Sequence, residues 1–219
     1  PSVTESVSAS GELPLSRAVS PDLEWRASCA STNSELVAGA AQRPDLAVLA
    51  TTDQTAGRGR LGRVWSAPAG SALAVSVFVR HRGEPEPRRL GWLPLVAGVA
   101  MVRAARALGV PGAALKWPND VLVDAGGDGP LKLSGILTEL TPEGVVIGAG
   151  LNLSMGRDDL PVPTATSLAL QGVVVDAALA DRALAAYLRD LLPLVAQWRA
   201  VTDPSELRHV VEPELRTLG

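Results

Sequence analysis

Along the chain the spacing of hydrophobic and polar positions changes several times, and each change marks a boundary between elements. Residues 45–52 (DLAVLATT) and 71–80 (SALAVSVFVR) are short apolar runs and predict strands. Residues 131–140 (LKLSGILTEL) and 145–154 (VVIGAGLNLS), on either side of the turn TPEG, predict a hairpin. Residues 22–28 (DLEWRAS) look like a further strand. ALKWPNDVLVD is extended and broken at Pro118, and AGGDGP is a turn.

Helical spacing dominates elsewhere. STNSELVAGAA starts a helix near Ser31 or Thr32, with a capping side chain ahead of Glu35. Residues 84–109 read as one long amphipathic helix with a proline signal at its start and Gly109 at its end. Residues 176–200 read as another, reached through a loop around RDDLPVPTATSL. Strands and helices do not alternate as in βαβ units, and no repeat is visible. The expected class is therefore α/β in the α+β sense, a mixed, largely antiparallel sheet flanked by helices. Residues 1–20, rich in Ser, Pro and small side chains, read as a flexible arm too short for a helix-turn-helix. Residues 203–219 read as a short helical or irregular tail.

Composition narrows the classes. The 219 residues, 47% hydrophobic and 20% charged, fit one large globular domain or a domain with a small appendage. A net charge of -3 gives no global nucleic-acid footprint, so anion binding has to come from local clusters. The single cysteine, Cys29, excludes an intrachain disulfide framework and fits a reducing compartment. With no secretory signal and no charge-free run of the ~20 residues a membrane span needs, the expected location is cytoplasmic.

The chain is rich in Ala, Gly, Val, Leu, Pro and Arg. It holds only two lysines, Lys116 and Lys132, and three asparagines, Asn33, Asn119 and Asn152. Lysine kept against an arginine-rich background points to a use for its compact ammonium. All five of these residues fall inside the motifs below.

DQTAGRGRLGRVW, residues 53–65, contains the spacing G-x-G-x-x-G at Gly57, Gly59 and Gly62. A dinucleotide-binding turn would need a helix to follow. Here RVWSAPAG leads into another strand, and about 20 positions on, in RHRGEPE, no acidic residue sits in a plausible second-strand position. The loop instead gathers Arg58, Arg60 and Arg63 on a backbone made pliable by glycine, with Trp65 at its edge. That combination suits a carboxylate, a phosphate and an aromatic base.

In order and spacing, STN, DQTAGRGRLGRVW, KWPNDVLV, KLSGILTEL and GAGLNLS resemble the bacterial biotin protein ligases over roughly residues 22–200. The resemblance implies a class II synthetase-like catalytic domain over residues 21–202, with 203–219 opening a C-terminal domain. It also implies a two-step reaction using ATP, biotin and Mg²⁺. Biotin's carboxylate attacks the α-phosphate to give biotinyl-5'-AMP, and a lysine of a biotin carboxyl carrier protein then takes the biotinyl group. Such a site must offset repulsion between anions and keep water from the adenylate.

By the same resemblance, Ser31, Thr32 and Gln54 contact biotin's polar head, beside Asn33. The backbone at Gly57 and the side chain of Arg58 hold its ring and carboxylate region. Arg60 and Arg63 meet the phosphates, and Trp65 covers the adenine. Lys132 bridges the carboxylate and the α-phosphate as the principal catalytic residue, with Arg58 and Arg60. Asn119 and Asn152 contact adenosine. Asp120 orients Lys132 or meets Mg²⁺, and no full metal-ligand set is assigned. Gly135, Ile136, Gly148 and Gly150 form close walls.

Plainer roles stand beside these. Ser31 is also a helix cap, Trp117 is read as core, His81 and His209 as surface, and Cys29 as a small buried residue without chemistry. Lys116 is left open between a structural lysine and a nucleotide contact. Relatives with an N-terminal helix-turn-helix bind DNA. The expectation here is no DNA, no membrane, and a monomer or homodimer, in a chain that ends about where a small C-terminal β-barrel begins. Lipoate or octanoyl ligation, and a non-catalytic sensor of biotinyl-AMP, remain alternatives.

Overall fold

The computed structural model describes residues 13–216 apart from 82, 84, 85 and 125–128. Its centre is a seven-stranded sheet. In chain order the strands are β1 (Glu24–Trp25), β2 (Val48–Thr51), β5 (Ala72–Arg80), β6 (Ala113–Lys116), β7 (Asp120–Val123), β8 (Leu131–Leu140) and β9 (Gly144–Asn152). A separate two-stranded ribbon, β3 (Gly57–Arg58) with β4 (Val64–Trp65), lies in the arginine loop. The sheet order is β1-β2-β5-β9-β8-β7-β6, and only β1 with β2 is parallel. The mixed, largely antiparallel class expected from the spacing is what forms.

Alternation along β5 divides the molecule into layers. Val75, Val77 and Val79 join the main core, against α4 (Leu93–Ala107) and α5 (Leu179–Ala200). Phe78 faces the opposite side, where α2 (Thr32–Ala38) packs with Leu36 over Leu49 and Val146. Full burial of such side chains contributes about 1.5–3 kcal/mol each. The larger layer therefore supplies most of the stability and leaves the α2 face free to carry a cleft.

Several elements differ from expectation. The helix expected over residues 84–109 is divided into α3 (Pro87–Leu90) and α4. Pro94 has no N–H with which to close a bond to the carbonyl four residues back, so regular pairing starts afresh. The end falls as expected: Gly109, at φ 103°, donates to Arg106 O, and the Val110 N–H closes on Ala105 O. By length and composition the stretch Pro87–Ala107 is apolar enough to cross a membrane. Here ten residues of α4, among them Val96, Val99 and Met101, are buried in the core.

Part of the expected flexible arm is α1 (Pro14–Val19). Asp181 at the start of α5 accepts from Leu15 N at 3.0 Å, Ser16 N at 2.8 Å and Ser16 Oγ at 2.6 Å. Residues 1–12 lie outside the described residues, as does most of the AGGDGP turn. The DLEWRAS strand shrinks to two paired residues. ALKWPNDVLVD becomes the antiparallel pair β6 and β7 around a cis Trp117–Pro118 peptide bond. The tail is helical, with α6 (Arg208–Val211) between single 3-10 turns. Its buried Glu214 pairs with Arg103 and Arg106 of α4, and Arg216 N bonds to Leu115 O at the edge of β6.

Candidate active site

On the α2 face one pocket gathers most of the residues singled out in the sequence: Ser31, Thr32, Asn33, Gln54, Arg58, Arg60, Trp65, Asn119, Lys132, Gly135, Ile136, Gly148 and Gly150. Its floor is β8 and β9, and its rim is the arginine ribbon.

One end is built mainly from uncharged polar groups, with the Arg58–Glu139 ion pair at its margin. Ser31 caps α2 and accepts from Ser34 N at 3.3 Å. The N–H and the hydroxyl of Thr32 reach Gln54 Oε1 at 2.9 and 3.3 Å. Ser76 Oγ bonds Thr32 Oγ1 at 2.8 Å and Asn33 Oδ1 at 2.6 Å. Asn33 Nδ2 then donates to Glu139 Oε2 at 2.8 Å, and Arg58 Nη2 meets Glu139 Oε1 at 2.6 Å. Buried polar groups joined in this way hold one another's orientation.

The other end carries charge. Lys132 Nζ stands 2.7 Å from Asp120 Oδ1. Asn119 Nδ2 donates to Asp120 Oδ1 at 3.3 Å and to Ile136 O at 3.0 Å, while its Oδ1 accepts from Arg60 Nη1 at 2.7 Å. Arg58 and Arg60, separated only by Gly59, thus reach opposite ends of the pocket.

Lys132 faces this pocket because its strand is irregular. Simple alternation would put Lys132 on the same side as the core residue Ile136 and opposite Gly135. The pairing of β7 with β8 shifts instead: Val121 pairs with Ser134 and Leu122 with Lys132, leaving Leu133 as an extra residue. This β-bulge turns Lys132 to the Gly135 side. Its backbone is held from outside the sheet, by Lys132 N to Thr164 O at 2.7 Å and Thr166 N to Lys132 O at 2.8 Å.

The wall glycines leave no room for a side chain. A Cβ at Gly148 would lie 2.1 Å from Asn33 Oδ1, and one at Gly150 would lie 2.6 Å from the Trp65 ring. One at Gly135 would lie 3.2 Å from Lys132 Nζ, and one at Gly57 would lie 2.4 Å from Gln54 Nε2. The ribbon above is tight: Gly59 N bonds to Arg63 O at 2.7 Å, and Leu61 takes φ 57° with its side chain in solvent.

Not every expected residue lines the pocket. Gly57 sits behind it and Asp120 beside it, in contact with Lys132. Arg63 is exposed on the ribbon and does not line it. Asn152, expected at the nucleotide, is buried and donates to Thr166 O at 2.7 Å; it braces the segment that holds Lys132. Trp117 is exposed rather than core: it stands in the turn between β6 and β7, with 70% of its surface in solvent. Lys116 is partly buried at the end of β6, outside the lining. His81 is half-buried rather than on the surface, and His209 is exposed. Cys29 is buried; burial, reinforced by Glu35, pushes its thiol from 9.0 to about 11, away from nucleophilic use.

Two residues of the site escaped the sequence reading. Ser76 is a lone hydroxyl in an otherwise apolar strand, and Glu139 continues the alternation of Gly135 and Leu137 along the pocket face of β8. Both signals were present in the register. Among the described residues no group of three or more His, Cys, Asp or Glu is placed to hold a metal ion.

In sum the pocket offers neutral donors and acceptors at one end, an ammonium and a guanidinium at the other, and an indole between. Residues 28–152 match the model of the Biotin/lipoate A/B protein ligase family. The chain is 42% identical over 185 residues to the biotin--[acetyl-CoA-carboxylase] ligase of Mycobacterium tuberculosis, covering 80% of this chain and 66% of that protein. It is 37% identical over 161 residues to the bifunctional ligase/repressor BirA of Escherichia coli, covering 66% of this chain and 48% of that one. It therefore spans between about half and two thirds of the length of these relatives. Its fold is similar to that of the biotin protein ligase from Aquifex aeolicus in complex with biotin and ATP, at a TM-score of 0.73 and 26% identity. That match covers 90% of this chain and 80% of the other.

Proposed function

This chain belongs to the biotin/lipoate A/B protein ligase family, and from that premise we propose that it is an ATP-dependent biotin protein ligase that modifies a lysine of a biotin carboxyl carrier protein in the cytoplasm. The observation that carries the reading is the division of one pocket between the neutral network of Ser31, Thr32, Gln54 and Ser76 and the charged network of Arg60, Asn119, Asp120 and Lys132. Biotin has the same division, with a neutral ureido ring system at one end and a carboxylate at the other.

In this reading the ring system lies against α2, beside Asn33 and over Gly148, and the carboxylate points to Lys132. In the first step a carboxylate oxygen attacks the α-phosphorus of ATP while the bond from that phosphorus to pyrophosphate breaks. Two anions meet, and the compact ammonium of Lys132 and the guanidinium of Arg60 stabilise the charge that grows between them. Trp65 offers a ring face to the adenine. In the second step the carrier's lysine amine attacks the acyl carbon, the C–N bond forms, AMP leaves and the amine gives up a proton. The ribbon over the pocket keeps water from the mixed anhydride.

Mg²⁺ is commonly held by one or two carboxylates and the substrate's own phosphates. Asp120, beside Lys132, fits that pattern as a single protein ligand, and the ion it would hold would supply charge neutralisation at the triphosphate.

The test is mass spectrometry of a purified carrier domain after incubation with the protein, biotin and MgATP. Gain of one biotinyl group is expected. Modification by lipoate and not biotin would overturn the proposal, as would biotinyl-AMP that stays bound and is never transferred.

A further inference from the structure

The register of the sheet carries the charged end of the pocket one strand beyond Lys132. Lys116 on β6 pairs with Asp120 on β7, and Asp120 pairs with Gly135 on β8. Residues paired across strands share a face of the sheet. Lys116 and Asp120 therefore stand on the Gly135 side, the side to which the bulge turns Lys132. The neighbouring positions fix which side this is. Ala113, Leu115, Val121 and Val123 join the main core, while Leu122, the partner of both Ala114 and Lys132, does not. Lys132, Asp120 and Lys116 thus form a short file of charges across the pocket face, from β8 to β6.

Asp120 gives its carboxylate to Lys132 at 2.7 Å. Lys116 is partly buried, and among the described residues its ammonium has no ion-pair or hydrogen-bond partner. A lysine on an edge strand often serves only to block pairing with another chain. Here that edge is already covered, because Leu215 bridges Leu115 and Arg216 N bonds to Leu115 O at 2.8 Å.

We propose that Lys116 binds the β- and γ-phosphates of ATP and stabilises the departing pyrophosphate. This deepens the ligase reading and rests on it. In that reading biotin lies over Gly148 on β9 and its carboxylate points along the sheet to Lys132 on β8. In a displacement at phosphorus the attacking and leaving oxygens stand roughly in line. A nucleophile that comes from β9 therefore sends its leaving group toward β7 and β6, the next strands in the sheet order. Adjacent strands are ~4.8 Å apart, so β6 lies about 10 Å from β8, and the long stem of lysine shortens what the outer phosphates have to span. As the carboxylate oxygen bonds to the α-phosphorus, the bond to the bridging oxygen breaks and its electron pair stays on pyrophosphate. Charge grows at both places, and the two lysines of the chain face one each.

Lys116→Gln removes the charge and Lys116→Arg keeps it. The first readout is biotin-dependent exchange of labelled pyrophosphate into ATP. KM for MgATP and KM for pyrophosphate are both expected to rise about tenfold or more in Lys116→Gln, the scale of one charge-assisted hydrogen bond, with KM for biotin kept. Lys116→Arg is expected to recover most of the loss, because a guanidinium also holds phosphate. The second readout is transfer from preformed biotinyl-5'-AMP to a carrier domain. It involves no pyrophosphate and is expected to run at the wild-type rate in both variants. Wild-type KM values for MgATP and pyrophosphate in Lys116→Gln overturn the assignment. A transfer rate that falls by the same factor as the exchange also overturns it, since that marks damage to the hairpin that carries Asn119. A wild-type protein that shows no biotin-dependent exchange and no transfer would overturn the ligase reading itself.

Discussion

Lys132 and Asp120 form an ion pair at 2.7 Å across β7 and β8, and the amine is held on the pocket side by Gly135, which has no Cβ to displace it. Lys132→Ala is expected to slow adenylate formation by ~10²–10³-fold, the scale for losing one preorganised group at a developing charge. Pyrophosphate release measured alongside the melting temperature checks this; unchanged rates in a folded variant would remove Lys132 from its role. Lys132→Arg should rescue poorly, because a planar guanidinium does not fit the space of a point charge against Gly135.

Gly148→Ala places a methyl group 2.1 Å from Asn33 Oδ1, so Asn33 must leave its bonds to Ser76 and Glu139. The expected result is about 1–3 kcal/mol of lost stability with biotin binding weakened at least tenfold. Calorimetric titration with biotin tests it, and wild-type affinity would show that Asn33 does not shape that end.

Asp181→Ala leaves Leu15 N and Ser16 N without their acceptor, while the Ser16 hydroxyl keeps only the main-chain carbonyl of residue 181 at 3.1 Å. Each unsatisfied buried group costs about 1–3 kcal/mol, and in a chain of this size each kcal/mol lowers the melting temperature by about 2–4 °C. A drop of several degrees with biotinylation retained is expected. A melting curve that superimposes on wild type would mean that α1 is not held through Asp181.

The Cys29 thiol, raised by burial from 9.0 to about 11, stays protonated at pH 8, so iodoacetamide should label it only after unfolding. Above pH 9 the unfolded chain gives up a proton that the folded chain keeps, so this group's contribution to stability falls as pH climbs toward 11. Rapid labelling of the native protein at pH 8 would contradict the burial.

The sheet and its flanking helices were legible because their apolar residues follow periods of two and 3.6, and most pocket residues were legible because they cluster in short motifs. Other features depend on where a chain segment is seated. Asn152 shares its strand with Gly148 and Gly150, but the segment carrying Thr166 covers it. Trp117 has the composition of a core residue, but the turn at Pro118 points it outward. The helix Pro14–Val19 is too short to show a period and depends on a partner 165 residues away. Glu139 and Ser76 were hidden in runs that look like ordinary hairpin strands, where only the register shows which side they face.

The extra residue at Leu133 gives the chain between Val121 and Gly135 a count that matters as much as its chemistry. Deleting Leu133 restores an ideal ladder and would raise no alarm in composition or hydropathy. Lys132 then stands two residues before Gly135, still opposite Leu122, so it keeps the pocket side while a fully buried leucine is lost from the core. Keeping all the residues but pairing Leu122 with Leu133 would instead turn the ammonium into the packed layer, so the bulge is what lets one strand supply both a core leucine and a lysine aimed at a ligand.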